Sequence, residues 1–247
     1  MPQRLKLIVA YDGTAFAGWQ SQVHRNTVQD ALERALGRIS GERTRVHGAG
    51  RTDAGVHALG QCAHVDLAKR TLAPEDWTNT LNALLPPTIR VLGCRYVSTN
   101  FHARFSAKAK VYRYRIWSAP ILPPLEFGRA WHIQKELDFE LFRVTANQFV
   151  GSHDFAAFAA TRGKHEMSTV RTIYSARVSR NGPCVTIELD GDGFLYKMVR
   201  FMVGSLMRCA AGKLPVETVK RQLASGRAAG ARVMAPAEGL FLVRVRY

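Results

Sequence analysis

Two successive rounds of strand and helix patterns constrain the fold of this chain more than any other feature. In each round, short apolar runs bounded by turn residues predict strands, and apolar residues at helical spacing predict amphipathic helices. The first round contains strands over residues 4–11, 61–67 and 89–97, a helix that opens at Asn26-Thr27 and stops at Gly41, and a helix from Pro74 to Pro86-Pro87. This order predicts an α+β unit built around one sheet.

The second round repeats the pattern over the rest of the chain. It contains strands over residues 111–117, 171–179, 185–189 and 240–247, and helices over 139–150, 195–209 and 215–223. Asn181-Gly182 predicts a hairpin between two of these strands, and the proline-containing stretch 119–128 predicts a loop or an extended insertion. We therefore expect an α+β fold of two similar domains, 1–107 and 108–247, although the halves share no visible sequence identity.

The charge of the chain points to a polyanionic partner. Lys and Arg number 35 against 19 Asp and Glu, which gives a formal net charge of +16 and a pI of ≈ 10.3. Self-repulsion at this charge disfavours the compact state, so a nucleic acid or an anionic membrane is expected, unless the whole proteome is basic. A membrane is the weaker candidate, because no long apolar span, signal peptide or lipidation motif is visible. Four cysteines without paired spacing predict neither a disulfide framework nor a zinc site, and a cytoplasmic setting follows.

The segment from His47 to Ala58 is the densest candidate for chemistry. Gly48, Gly50 and Gly55 crowd around Arg51 and Asp53, and small residues let the backbone bend and a bulky ligand approach closely. A carboxylate placed there can be desolvated and still be reached, with Arg51 favouring its charged form. A structural turn with a capping Asp explains the same residues equally well.

Other chemistries fit this segment less well. A glycosidase needs a second carboxylate across the bond, and the next acid, Asp66, falls in a predicted strand. Gly50-Arg51-Thr52 lacks the lysine and the glycine spacing of a phosphate-binding Walker loop. His47, His57 and His64 have no helical histidine pair or cysteine pair beside them, so hydrogen-bonded histidines are favoured over metal ligands. A carboxylate nucleophile without a metal is the best fit.

Two further segments add candidate substrate contacts. Residues 101–115 interleave aromatic and basic side chains, which suits looped RNA, because cations such as Arg104 and Lys110 track phosphates while aromatic faces stack on unpaired bases. Tyr112 and Tyr114 share one strand face, and Tyr114 is expected to be in the core. Arg200 lies about 140° from the apolar stripe of its predicted helix, where it either faces a cleft or, as the pattern alone favours, is a solvated surface residue.

Taken in order, these segments resemble the TruA family of tRNA pseudouridine synthases. The match to Arg51-Thr52-Asp53-Ala54-Gly55-Val56-His57-Ala58 is unbroken. It is accompanied by Tyr11-Asp12-Gly13-Thr14, Gly18-Trp19-Gln20, Phe101-His102-Ala103-Arg104-Phe105-Ser106-Ala107, Thr169-Val170-Arg171 and Ala235-Pro236-Ala237-Glu238-Gly239-Leu240. Because the similarity runs over nearly the whole chain, chance agreement is implausible.

The resemblance implies a fold and an activity. The fold is expected to have RNA-recognition-like sheets, antiparallel or mixed, facing a central basic active-site cleft. The expected reaction converts uridines at positions 38, 39 and 40 of the tRNA anticodon stem-loop to pseudouridine, without a cofactor or a metal, in a homodimer. Two alternatives remain, which are an RNA-binding protein without catalysis and the same isomerase chemistry at other RNA positions.

The resemblance also assigns roles to particular residues. Asp53 falls on the catalytic nucleophile, Tyr112 on a tyrosine that stacks on the target base, Arg51 on an arginine associated with flipping that base, and Arg200 on an arginine that pairs with the carboxylate. Lys197 is a departure, since family members often carry His or a similar residue there. Whether Asp53 attacks C1′, removes the C2′ proton or adds to C6 of the base is left open.

Overall fold

A computed structural model describes residues 3–24, 26–68, 72–160, 168–228 and 230–247. Its strands are, in chain order, β1 (Gln3–Tyr11), β2 (His47–Gly48), β3 (His57–Leu67), β4 (Ile89–Val97), β5 (Ala109–Ser118), β6 (Trp131–Ile133), β7 (Gly151–Asp154), β8 (Val170–Asn181), β9 (Cys184–Gly191) and β10 (Leu240–Arg246). Its α-helices are α1 (Val28–Ser40), α2 (Pro74–Leu84), α3 (Phe139–Asn147), α4 (Met198–Ala210) and α5 (Val216–Ser225). The architecture is mixed α+β, as predicted, and its strand pairs are mostly antiparallel.

The chain divides into two compact units at a position close to the expected domain boundary. The first unit is Met1–Lys108 together with Phe241–Tyr247, and the second is Ala109–Leu240. The division differs from domains 1–107 and 108–247 at the end of the chain, because β10 pairs in parallel with β3 of the first unit. Hydrophobic periodicity predicts that a segment is a strand, but it does not say which strand it pairs with.

The first unit is built on a sheet in which β1 lies between β3 and β4 and pairs antiparallel with both. Successive side chains of β1 alternate between the two faces, so Leu5, Leu7 and Val9 are completely buried on one face. Helix α2 packs against β4, where the indole Nε1 of Trp77 donates a hydrogen bond to the Tyr96 hydroxyl at 3.0 Å. Helix α2 therefore contributes to the buried face of this sheet, and α1 packs against α2.

Helix α1 begins and ends where its sequence predicts. The hydroxyl of Thr27 caps the helix by accepting a hydrogen bond from the Asp30 backbone N–H at 3.2 Å. Gly41 ends it in the left-handed conformation, with φ of 74°. These caps satisfy terminal backbone groups locally, which is why both helix ends could be predicted from the sequence.

The second unit contains an antiparallel sheet in the order β5, β9, β8 and β7, with β6 parallel to β5. The predicted β8–β9 hairpin is confirmed, but its turn is Gly182-Pro183, since Asn181 pairs with Cys184. Gly182 has φ of 55°, a conformation that glycine adopts without steric cost. The core of the unit includes a group of fully buried phenylalanines, Phe142, Phe149, Phe155 and Phe158.

The proline-containing stretch 119–128 is less irregular than its sequence predicts. It includes a short 3₁₀ turn at Pro124–Glu126, and Glu126 forms an ion pair with Arg115 of β5 at 2.7 Å. In the parts of the chain that the structure describes, no helix is long and apolar enough to cross a membrane.

Candidate active site

The loop that carries Asp53, which we call the Asp53 loop (residues 49–56), connects β2 to β3 in the first unit. Its backbone is held from β3, where the side-chain Nε2 of Gln61 donates a hydrogen bond to the Gly50 carbonyl at 2.8 Å. Asp53 is partly buried, whereas Arg51 is exposed. The carboxylate is thus carried by a fixed backbone at a position that a substrate can reach.

Two glycines near the start of the chain allow close approach to the Asp53 loop. A Cβ on Gly13 would lie less than 3.0 Å from the Val56 carbonyl oxygen, and a Cβ on Gly18 would lie 2.6 Å from the Thr52 carbonyl oxygen. Gly18 also has φ of 95°, which side chains rarely tolerate. The next residue, Trp19, donates its backbone N–H to the Thr52 carbonyl at 3.1 Å. The close packing of Gly13 and Gly18 on the Asp53 loop gives a physical reason for glycine at both positions.

A buried hydroxyl pair holds the residue that precedes Asp53. The hydroxyls of Tyr11 and Thr52 are 2.8 Å apart and share a hydrogen bond. Burial raises the pKa of Tyr11 to about 12, so this hydroxyl stays protonated at neutral pH. Because Thr52 directly precedes Asp53, the pair fixes the backbone from which the carboxylate projects.

His57, at the start of β3, supports the Asp53 loop. Its ring is buried and stacks on Phe241, with centroids 4.6 Å apart. The Asp12 carboxylate lies 3.4 Å from Nδ1, within ion-pair distance, but Nδ1 accepts a hydrogen bond from the Gly13 N–H at 3.1 Å. An accepting nitrogen carries no proton, so the hydrogen bond argues for a neutral ring in a supporting role.

The other two histidines that the metal hypothesis invoked lie in an aromatic cluster. The rings of His47 and His64 stack with centroids 5.0 Å apart, and His102 meets His64 edge-on at 4.6 Å. Burial and the nearby Arg4 cation lower the pKa of His64 to about 4, which keeps it neutral. Among the described residues, no three His, Cys, Asp or Glu side chains are arranged to hold a metal ion.

In the second unit, Tyr112 is held on β5 by a second aromatic ring. It is 8% exposed, and Phe194 meets its ring edge-on, with centroids 5.0 Å apart. Tyr114 is fully buried and donates its hydroxyl proton to the Pro236 carbonyl at 2.8 Å, which confirms its predicted place in the core. Lys110, on the same strand, is partly buried. The Tyr112 ring is therefore fixed in orientation before any ligand binds.

Arg200 lies in the first turn of α4, which begins three residues later than predicted. The preceding residue, Lys197, takes the left-handed conformation at φ of 61° and ψ of 8°, so the helix begins at Met198 rather than Leu195. Arg200 is partly buried, and its Nε donates a hydrogen bond to the Ala235 carbonyl at 2.7 Å. Arg200 is therefore less exposed than the surface interpretation implies, and its Nε is tied to the backbone of the segment after α5.

The candidate residues fall into two groups, one on each unit. The first unit carries Arg51 and Asp53 on the Asp53 loop and the exposed Arg104 on the turn after β4. The second unit carries Lys110 and Tyr112 on β5 and Arg200 on α4. Within the second unit, Phe194 packs on Tyr112 and the Ala235 carbonyl accepts a hydrogen bond from Arg200.

Sequence reasoning did not identify the residues that support the candidates. Tyr11 and Thr52 form the buried pair, Gly13 and Gly18 make room for the Asp53 loop, and Phe194 orients Tyr112. Gly13 stands in the Tyr11-Asp12-Gly13-Thr14 match, but a steric requirement for glycine shows only when the opposing segment is known.

Comparison with known proteins identifies the family of this chain. The family model for tRNA pseudouridine synthase matches residues 7–106 and 145–247. A tRNA pseudouridine synthase A from Akkermansia muciniphila is 45% identical over 99% of this chain and 95% of its own length. Proteins of the same name from Methylacidiphilum infernorum and Acetivibrio thermocellus are 43% and 41% identical, over 98% and 99% of the chain and 94% and 100% of their own lengths. The chain belongs to the tRNA pseudouridine synthase family.

Proposed function

We propose that this protein converts uridines at positions 38, 39 and 40 of the tRNA anticodon stem-loop to pseudouridine, with Asp53 as the catalytic carboxylate. Family membership supports the isomerisation of uridine in tRNA. The observation that carries the residue assignment is the Asp53 loop, which holds a partly buried carboxylate on a fixed backbone. The net charge of +16 suits a polyanionic substrate.

The reaction is an isomerisation without a redox change, and a carboxylate can serve it as a nucleophile or a base. The N1–C1′ bond breaks, the uracil turns, C5 bonds to C1′, and the C5 proton is lost while N1 gains one. Asp53 serves this sequence by attacking C1′, by removing the C2′ proton or by adding to C6. Each route requires the ionised form in a place from which water is largely excluded.

Arg51, Tyr112 and Arg200 are proposed to act in the same reaction. Arg51 is exposed and two residues from Asp53, which suits a cation that replaces the target base in the stem. Tyr112 stacks on the extruded uracil, and its rigid support by Phe194 favours this role. Arg200 provides a charge-assisted partner for a carboxylate, and its Nε anchor to Ala235 limits its conformations.

The assembly around this chemistry is part of the proposal. We expect a cytoplasmic homodimer in which a central basic cleft takes the anticodon stem-loop. Arg104 and Lys110 are proposed to contact the phosphates of the stem-loop, because both are cations that lie within eight residues of Tyr112 in the sequence. Sedimentation of the purified protein with and without tRNA measures the oligomeric state directly.

The test of the function is tritium release from tRNA labelled at C5 of uridine, followed by mapping of pseudouridine. The purified protein is expected to release tritium, and tRNA from cells that lack the gene should lose pseudouridine at positions 38 to 40. Binding without release would favour an RNA-binding protein without catalysis. Loss of pseudouridine elsewhere would favour the same chemistry at another position.

Tyr112→Phe should preserve tRNA binding and slow turnover. The ring and its contact with Phe194 remain, whereas the hydroxyl that can assist proton transfer is lost, so we expect a decrease of about 10²-fold in single-turnover tritium release. Tyr174→Phe is the matched control, because Tyr174 is a half-exposed tyrosine of the same unit. A wild-type rate for Tyr112→Phe would confine this tyrosine to stacking.

A further inference from the structure

The aromatic residues of the segment 101–115 differ sharply in exposure. Tyr114 is fully buried and Tyr112 is 8% exposed, whereas Phe105 is 77% exposed. Phe101 is partly buried, because it packs on Tyr247 with ring centroids 4.8 Å apart. Of the four aromatic side chains in this segment, only Phe105 offers most of its ring to solvent.

The turn that displays Phe105 is held by a dense set of local hydrogen bonds. Nδ1 of His102 accepts hydrogen bonds from the backbone N–H groups of Arg104 and Phe105, at 3.1 and 3.3 Å. The Ser106 hydroxyl accepts from the His102 N–H at 3.0 Å, and the Ser106 N–H donates to the His102 carbonyl at 2.9 Å. The exposed ring is therefore presented by a fixed backbone rather than by a loose loop.

The turn is also anchored to the sheet of its own unit. Ala103 is fully buried, and its N–H donates to Nδ1 of His64 at 3.1 Å. The Tyr247 hydroxyl donates to the Ala103 carbonyl at 2.7 Å. The His102 ring contacts the Phe105 ring, with centroids 4.4 Å apart. This anchoring lowers the conformational entropy that binding through the exposed ring would cost.

The surroundings of Phe105 are cationic and polar rather than apolar. The Arg104 guanidinium carbon lies 5.7 Å from the ring centroid, and Lys108 in the same segment is exposed. The neighbouring residues His102, Arg104 and Ser106 are polar, whereas a protein partner usually covers a wide apolar patch. A flat aromatic face beside cations matches an unpaired base and its phosphates.

We propose that Phe105 is a stacking site for an unpaired tRNA base, whose phosphate is held by Arg104. This inference rests on the proposed function in that tRNA is the ligand, but it concerns a nucleotide other than the one that reacts. Phe105 is a binding residue in this scheme, separate from Asp53 and Tyr112. Stacking tolerates any base, so the site anchors an unpaired nucleotide without reading its identity.

The test compares the Phe105→Leu and Phe105→Trp variants with wild type, and uses Phe127→Leu as the matched control. Phe127 is 76% exposed and lies in the other unit, so its loss removes a similar exposed ring. Phe105→Leu is expected to raise Kd and KM for an anticodon stem-loop RNA about tenfold, with little effect on the rate at saturating RNA. The Phe105→Trp variant keeps an aromatic ring and should have wild-type affinity. The Phe127→Leu variant should also bind like wild type.

A fluorescent 2-aminopurine, placed in turn at each unpaired position of this RNA, locates the stacked base. One position should be quenched on binding to wild type and not on binding to Phe105→Leu. Equal affinities of Phe105→Leu and Phe127→Leu, or a change in oligomeric state in place of RNA affinity, would overturn the proposal. The affinity and the fluorescence quenching are both measured without any chemical reaction. Absence of tritium release by wild type would therefore remove the proposed reaction and leave the stacking site standing.

Discussion

Asp53→Asn is expected to reduce pseudouridine formation by about 10⁴-fold or more, the scale seen when a catalytic nucleophile is removed. Asparagine keeps the size and shape of the side chain and loses its charge. The backbone of the Asp53 loop should persist, because it is held by main-chain bonds from Trp19 to the Thr52 carbonyl and from Val56 to the Asp53 carbonyl. Affinity for tRNA is therefore expected to stay within about threefold of wild type.

Tritium release under single-turnover conditions, with affinity measured in parallel, separates chemistry from binding. Asp66→Asn is the matched control, since Asp66 is an acid of the same unit that pairs with Arg4 at 2.7 Å outside the Asp53 loop. That variant has the same change in net charge and should retain activity. Full tritium release by the Asp53→Asn variant would falsify the nucleophile assignment. An equal loss of activity in both variants would show that the change in net charge, and not the loss of a catalytic group, is the cause.

The elements that could be predicted from the sequence are those whose ends are determined locally. Strand β4 matches its predicted range at both ends, and α1 is bounded by the Thr27 cap and the left-handed Gly41. In these cases the apolar period and the terminal residues indicate the same boundary. The left-handed Lys197 is the opposite case, because nothing about a lysine predicts that α4 starts after it.

Local sequence patterns do not predict contacts between segments that are distant in the sequence. The pairing of β10 with β3 and the bond from Arg200 to Ala235 each depend on tertiary structure. For the site, the sequence could place Asp53 in a close-approach loop and could not distinguish a capped turn from a catalyst. The structure adds the buried Tyr11–Thr52 pair, which explains how the loop is held.

Gly13→Ala should impair both folding and activity, since Gly13 lies against the backbone that carries Asp53. The added Cβ would come within 3.0 Å of the Val56 carbonyl oxygen, a main-chain atom that cannot rotate away as a flexible side chain would. We expect a loss of about 1–3 kcal/mol in the free energy of unfolding, the usual cost of overpacking, reduced slightly by the lower entropy of the unfolded chain. If the Asp53 loop moves by about 1 Å to relieve the clash, turnover should fall about 10²-fold.

Gly93→Ala is the matched control, because it lies in β4 of the same unit and a Cβ there would meet no atom within 4 Å. Urea unfolding gives the stability of both variants, and tritium release at a temperature where each is folded gives their activity. Gly93→Ala should be close to wild type in both measurements. Gly13→Ala could instead lose stability and keep wild-type turnover. In that case the segment after β1 would move to relieve the clash. Catalysis would then not depend on the exact position of the Asp53 loop. A loss of turnover beyond the unfolded fraction would tie catalysis to the packing of this loop on Gly13.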